Sequence, residues 1–114
     1  MPARKQINIL NEYLLMVLVE RKIPNGKLVR VEVDFTDKII SHIKITGDFF
    51  VHPEDALLIL EKNLVGSNID GIKETVKMLF ATLNAEIIGF SHDDLSSIIL
   101  ECYLISQGKG QLQK

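Results

Sequence analysis

The sequence predicts an α+β fold, a small antiparallel sheet packed against helices. Three observations carry that reading. Apolar residues alternate from Lys27 to Thr46, as in strands; after Pro53 they recur every three or four positions, as in helices; and the change of period falls on one stretch, Ile45-Thr46-Gly47-Asp48-Phe49-Phe50-Val51-His52-Pro53-Glu54-Asp55. The junction holds a flexible glycine, an acid, two adjacent aromatics and a proline able to open a helix. It is both the structural hinge and the candidate functional surface.

With 114 residues, 46% hydrophobic and 25% charged, the chain has the size and composition of one globular domain. Its net charge of -2 is unevenly placed: residues 1–30 carry +4 and the remaining 84 carry -6. An acidic body without a basic stripe lacks the footprint of a phosphate-binding protein, so nucleic acid is not an expected partner. The longest apolar run, Tyr13 to Val19, is seven residues, against the ~20 that span a bilayer, so no membrane partner is expected either. One cysteine, Cys102, cannot form an internal disulfide, and no secretory leader pattern opens the chain, which makes a cytoplasmic location the expectation.

Along the chain, Ile7, Leu10, Leu14 and Val17 or Leu18 follow helical spacing up to Glu20-Arg21, which favours a short N-terminal helix. Leu14 to Val19 is apolar on every face and suits a buried strand equally. Ile23-Pro24-Asn25-Gly26 forms a turn that sets off residues 1–26 as an added arm, which is read as helical. From Lys27 to Phe35, Val29, Val31, Val33 and Phe35 face one way and Arg30, Glu32 and Asp34 the other. After a turn at Thr36-Asp37-Lys38, Ile39, Ile43 and Ile45 face one way and His42 and Lys44 the other, giving two antiparallel strands.

Three helices must cover the β-branched face. The first has Pro53 at its first position, Glu54 and Asp55 near its positive end, and Ala56, Leu57, Leu60 and Leu64 inward until Gly66. The second starts near Asp70 with Ile72, Val76, Leu79, Phe80 and Leu83 and stops at Asn84. Glu86 to Phe90 makes a short strand or extended crossing. Ser91 then caps a third helix carrying Leu95, Ile98, Ile99, Cys102 and Ile105, and residues 108–114 form a disordered tail.

Few constellations carry chemistry. His42, His52 and His92 lack the close spacing of a zinc site, so no metal is expected. No glycine-rich phosphate cradle occurs. Asp93 and Asp94 suit a helix N-terminus, and Cys102 sits on an apolar stripe, so no residue is read as catalytic. Packing explains Phe49 and Phe50, whereas it gives no reason for an acid at Asp48. Gly47, Asp48, Phe49, Phe50 and His52 are therefore the candidate residues facing a partner or shared site.

Lys27-Leu28-Val29-Arg30-Val31-Glu32-Val33, Ile45-Thr46-Gly47-Asp48-Phe49-Phe50, Pro53-Glu54-Asp55-Ala56, Leu60-Glu61 and Leu64-Val65-Gly66 together resemble the accessory domain of lipoate-protein ligase, which in some archaea is a separate small polypeptide. The likeness runs from about Lys27 to Ile105 and assigns residues 27–107 to that domain. It implies a subunit that acts with a catalytic subunit in the ATP-dependent activation of lipoate to lipoyl-AMP, from which lipoate passes to a lysine of an acceptor protein. ATP, magnesium and lipoate would enter through the catalytic subunit, and this chain would bind no cofactor alone. Without that partner, the apolar arm gives the chain a way to form a homodimer.

The family fold is also similar to iron-sulfur scaffold proteins, which implies an alternative, an adaptor module lacking metal ligands. Asp48 and Gly89-Phe90 stand where those scaffolds keep their ligands, and a cluster needs thiolates.

Overall fold

The computed structural model describes residues 16–108. The strict alternation of the Leu28–Thr36 stretch makes it the central strand of a three-stranded antiparallel sheet, β2, between β1 (Val17–Lys22) and β3 (Ile39–Gly47). Val29, Val31 and Val33 are fully buried on one face, with Arg30 and Glu32 on the other. A second, two-stranded antiparallel ribbon pairs β4 (Phe50–His52) with β5 (Glu86–Ile88). The helices are α1 (Ala56–Leu64), α2 (Ile72–Thr82) and α3 (His92–Ser106). Helix α3 lies on β1 and β2, α1 lies on β3, and α2 packs against both helices.

The first correction concerns the N-terminal helix. Its expected end, Val17 to Arg21, lies in β1, which pairs with β2 from Val17↔Val33 to Lys22↔Leu28. Val17 and Val19 are buried and Leu18 and Glu20 exposed, so the period is two. The bonding edge of β2 and the face of α3 beneath it select the strand over local helical spacing. The rest of the expected helix, residues 7–15, lies outside the described residues, as does the tail from 109 onward.

A bulge changes the reading of β3. Phe35 pairs with Ile40 but Asp34 pairs with His42, so Ser41 is the extra residue, and its hydroxyl donates to the Asp34 carbonyl at 3.0 Å. The face therefore switches parity: Ile40, not Ile39, joins Ile43 and Ile45 in the core. The outer edge of β3 is also occupied. Ile40 N–H donates to the Ser67 carbonyl at 2.9 Å, Gly66 N–H donates to the Ile40 carbonyl at 2.8 Å, and Ile45 N–H donates to Glu61 Oε2 at 2.7 Å. The chain after α1 thus covers part of this strand edge.

The helices follow their stripes. Ala56, Leu60 and Leu64 of α1, Ile72 and Val76 of α2, and Leu95, Ile98, Ile99 and Cys102 of α3 are buried, with Leu79, Phe80, Leu83 and Ile105 packed at the margin. Ser91 caps α3 in a full capping box: its hydroxyl accepts from Asp94 N–H at 3.1 Å, and Asp94 Oδ2 accepts from Ser91 N–H at 2.8 Å. The start of α1 differs from expectation. Pairing with β5 keeps the chain extended through His52, so Pro53 belongs to a turn in which its carbonyl accepts from Ala56 N–H at 3.0 Å. Helix α1 begins at Ala56 after Asp55, and neither Glu54 nor Asp55 lies in its first turn.

Candidate functional site

The junction between β3 and β4 is built on backbone geometry. Gly47 ends β3 at φ +149°, and a Cβ there would collide with the Leu28 carbonyl oxygen. Asp48 then closes the β2–β3 ladder twice over. Its N–H donates to the Leu28 carbonyl at 3.2 Å, and its Oδ1 accepts from Leu28 N–H at 2.8 Å. The carboxylate thus satisfies the amide that opens β2. Sequence reasoning had no packing role for this acid; the structure gives it a backbone clasp, which no hydrophobic pattern reveals.

Beyond the clasp, the two aromatics part. Phe49 turns inward, its ring 4.9 Å from Phe90 in a T-shaped contact, and Phe90 reaches Phe80 at 6.1 Å. His92 continues the chain of rings, 6.0 Å from Phe80, with its Nδ1 3.4 Å from Asp93 Oδ1. Gly89, at φ +129°, makes room for this arrangement, since a Cβ there would lie 2.8 Å from Phe49 Cβ. Its carbonyl accepts from Lys27 N–H at 3.3 Å, tying the crossing after β5 to the start of β2.

Phe50 faces the other way. It pairs with Ile88 across the ribbon, and these two side chains remain 55% and 51% exposed. His52 and Glu86 form the next pair on the same face and are exposed, while Val51 and Ile87 between them are half-buried. The structure therefore places Phe50 and His52 on one face of the ribbon, leaves Gly47 and Asp48 exposed at the turn that leads into it, and removes Phe49 into the aromatic cluster. It adds Ile88 and Glu86, whose sequence signal was the short strand or extended crossing read over Glu86 to Phe90.

The remaining chemistry-bearing residues do not converge here. His42 lies opposite Asp34 on β3, away from His52 and His92. Among the described residues, no group of three or more His, Cys, Asp or Glu is placed to hold a metal ion. Cys102 is fully buried in the core, and that burial pushes its thiol up to about 12. Clefts of about 470 Å³ beside Phe35 and Tyr103, and about 420 Å³ beside Arg21 and Leu104, include no residue of the Gly47–His52 turn. No described helix is long and apolar enough to cross a membrane.

No protein-family model matches the chain. A sequence relative does: lipoate-protein ligase A subunit 2 of Thermoplasma acidophilum is 42% identical over 50 residues, a segment covering 44% of this chain and 53%, about half, of that relative. In fold, the chain is similar to a chain from the structure of an archaeal lipoylation system of the same organism, a bipartite lipoate protein ligase and its E2 lipoyl domain. The TM-score is 0.60 at 28% identity, covering 70% of this chain and 91% of that one. In sequence and in fold, the chain is thus similar to the second subunit of an archaeal lipoate-protein ligase and to a chain of a bipartite lipoylation system.

Proposed function

We propose that this chain is the non-catalytic accessory subunit of a two-component lipoate-protein ligase, required with its catalytic subunit for ATP-dependent activation of lipoate to lipoyl-AMP before transfer to an acceptor-protein lysine. The observation that carries the reading is the 42% identity to a ligase subunit 2, supported by the fold likeness to a bipartite ligase system. ATP, magnesium and lipoate belong to the catalytic subunit in this scheme. The accessory chain contributes a surface: covering an adenylate site excludes water, strengthens its electrostatics and protects a hydrolysable mixed anhydride. The Gly47–His52 turn is the surface we assign to that task.

The alternative of a ligand-free iron-sulfur scaffold draws on the same turn, which does meet Gly89-Phe90 in space. Asp48 is committed there to Leu28 N–H and Phe90 is buried among aromatics, and neither supplies a thiolate. Reconstitution yielding a stoichiometric cluster would overturn that argument.

The test of the ligase reading mixes the chain with a catalytic subunit, lipoate and ATP and follows pyrophosphate release. Release that does not depend on this chain rejects the proposal. Asp48→Asn sharpens the test, because an amide oxygen can still accept from Leu28 N–H. We expect an unchanged thermal midpoint and reduced stimulation; full stimulation would confine Asp48 to its structural clasp.

A further inference from the structure

Resting on the accessory-subunit reading, we propose that the outward face of the β4–β5 ribbon, with the Phe50–Ile88 pair at its centre and exposed carboxylates on the segments that carry it, docks onto a basic protein surface with an apolar pocket, carried by the catalytic subunit. The ribbon is unlike the other exposed apolar positions. On the helices, Leu58 lies beside Ile59 and Leu104 one turn from Leu100, and in neither couple are both side chains more than half exposed, while Met78 stands alone; scattered exposure of this kind is normal for a soluble surface. Phe50 and Ile88 are a cross-strand pair, directly opposite each other, and both are more than half exposed. An aromatic ring and a branched aliphatic chain side by side on a rigid backbone form an anchor of the type that dominates association energy.

Charge identifies the occupant. The segments that carry the ribbon, residues 45–57 and 81–93, contain Asp48, Glu54, Asp55, Glu86 and Asp93, all exposed, and no lysine or arginine. Lys27, whose stem lies beside Gly89, adds one cation to this end. His52, opposite Glu86, and His92, beside Asp93, are the other groups there that can become positive. An apolar pair carried on segments rich in exposed carboxylates is complementary to an apolar pocket flanked by lysine and arginine, and it repels an acidic surface, including a second copy of this chain presenting the same face. A subunit that binds nucleotide phosphates has cationic surface to offer.

The experiment measures association of the full chain with the catalytic subunit by calorimetry, with circular dichroism confirming the fold of each variant. Phe50→Ser and Ile88→Ser are each expected to weaken binding about tenfold or more. Leu104→Ser, roughly 18 Å along α3 from His92, is expected to leave it unchanged. Glu86→Lys weakens binding less, and raising the salt from roughly 0.05 to 0.5 M weakens the unaltered pair but affects the Glu86→Lys pair to a smaller degree. Folded Phe50→Ser and Ile88→Ser proteins that bind as well as the unaltered chain would overturn the surface assignment while leaving the ligase reading intact. An unaltered chain that does not bind the catalytic subunit would remove that reading and this surface together. Sedimentation showing a homodimer disrupted by Phe50→Ser would also overturn the assignment, since the face would then belong to a second copy.

Discussion

The three-stranded sheet and the β4–β5 ribbon are both antiparallel, yet they treat apolar side chains in opposite ways. In the sheet, the nine-residue strands send Val29, Val31, Val33, Ile43 and Ile45 beneath α1 and α3 and leave mostly polar and charged groups outside, with Leu18 of β1 and Leu28 of β2 exposed among them. The ribbon has three residues a strand, half-buries Val51 and Ile87, and turns Phe50 and Ile88 outward. A ribbon this short is marginal on its own; the Phe49–Phe90–Phe80 cluster and the Gly89–Lys27 bond hold it to the body. Apolar burial in the sheet supports the fold, whereas apolar exposure on the ribbon is free for recognition.

The contrast breaks most severely at the sheet. Leu60 is fully buried beneath β3, so Leu60→Ala should destabilise the protein by about 2–5 kcal/mol in urea unfolding. A smaller cost would mean that α1 closes over the cavity. The next largest effect falls on the seam between the regions: Gly89→Ala places a Cβ 2.8 Å from Phe49 Cβ at a positive φ. We expect a loss of about 1–3 kcal/mol and a change in near-ultraviolet circular dichroism as the aromatic cluster shifts. A change in stability without that spectral change would show that the strain is absorbed by the backbone alone.

Legibility follows the same division. Strand β2 and helix α3 were readable because their information is local: a strict period of two in one, and Ser91 with Asp94 in the other. Strand β1 was not, because Val17 to Val19 carries no period of its own and only the open edge of β2 settles its conformation. The bulge at Ser41 was hidden for a related reason, since a run of isoleucines at 39, 40, 43 and 45 fits either parity until a partner strand fixes one. At the site, the turn could be located but not apportioned. Phe49 and Phe50 are identical in type and adjacent, and only Phe90, coming from across the ribbon, decides which is core. Asp48 stood out as an acid that core packing does not explain, and the structure gives its carboxylate the backbone N–H of a residue 20 positions away.

A smaller effect tests whether α3 supports both regions. Ser91→Ala removes the cap at the point where the chain leaves the ribbon and enters the helix beneath the sheet. The expected cost is about 1 kcal/mol in thermal or urea unfolding, with Asp94 losing its reciprocal bond to the hydroxyl but keeping Ser91 N–H. If hydrogen exchange then accelerates in β5 as well as in the first turn of α3, the cap anchors the ribbon. If it accelerates in the helix alone, the aromatic cluster is sufficient.

The smallest expected change in stability is the most informative about the ribbon. Phe50 is 55% exposed and has no aromatic partner among the described ring contacts, whereas Phe49 beside it has Phe90 at 4.9 Å. Phe50→Ser should therefore alter the unfolding free energy by no more than about 0.5 kcal/mol, the range of ordinary surface substitutions. Phe49→Ser would remove a packed ring and leave a hydroxyl among apolar groups, and should cost several times as much. Equal costs for the two would mean that the Phe50–Ile88 pair helps hold the ribbon together, and its exposure would then have a structural reason. A clear difference leaves Phe50 as an apolar residue that folding does not require, in the place where a binding surface needs one.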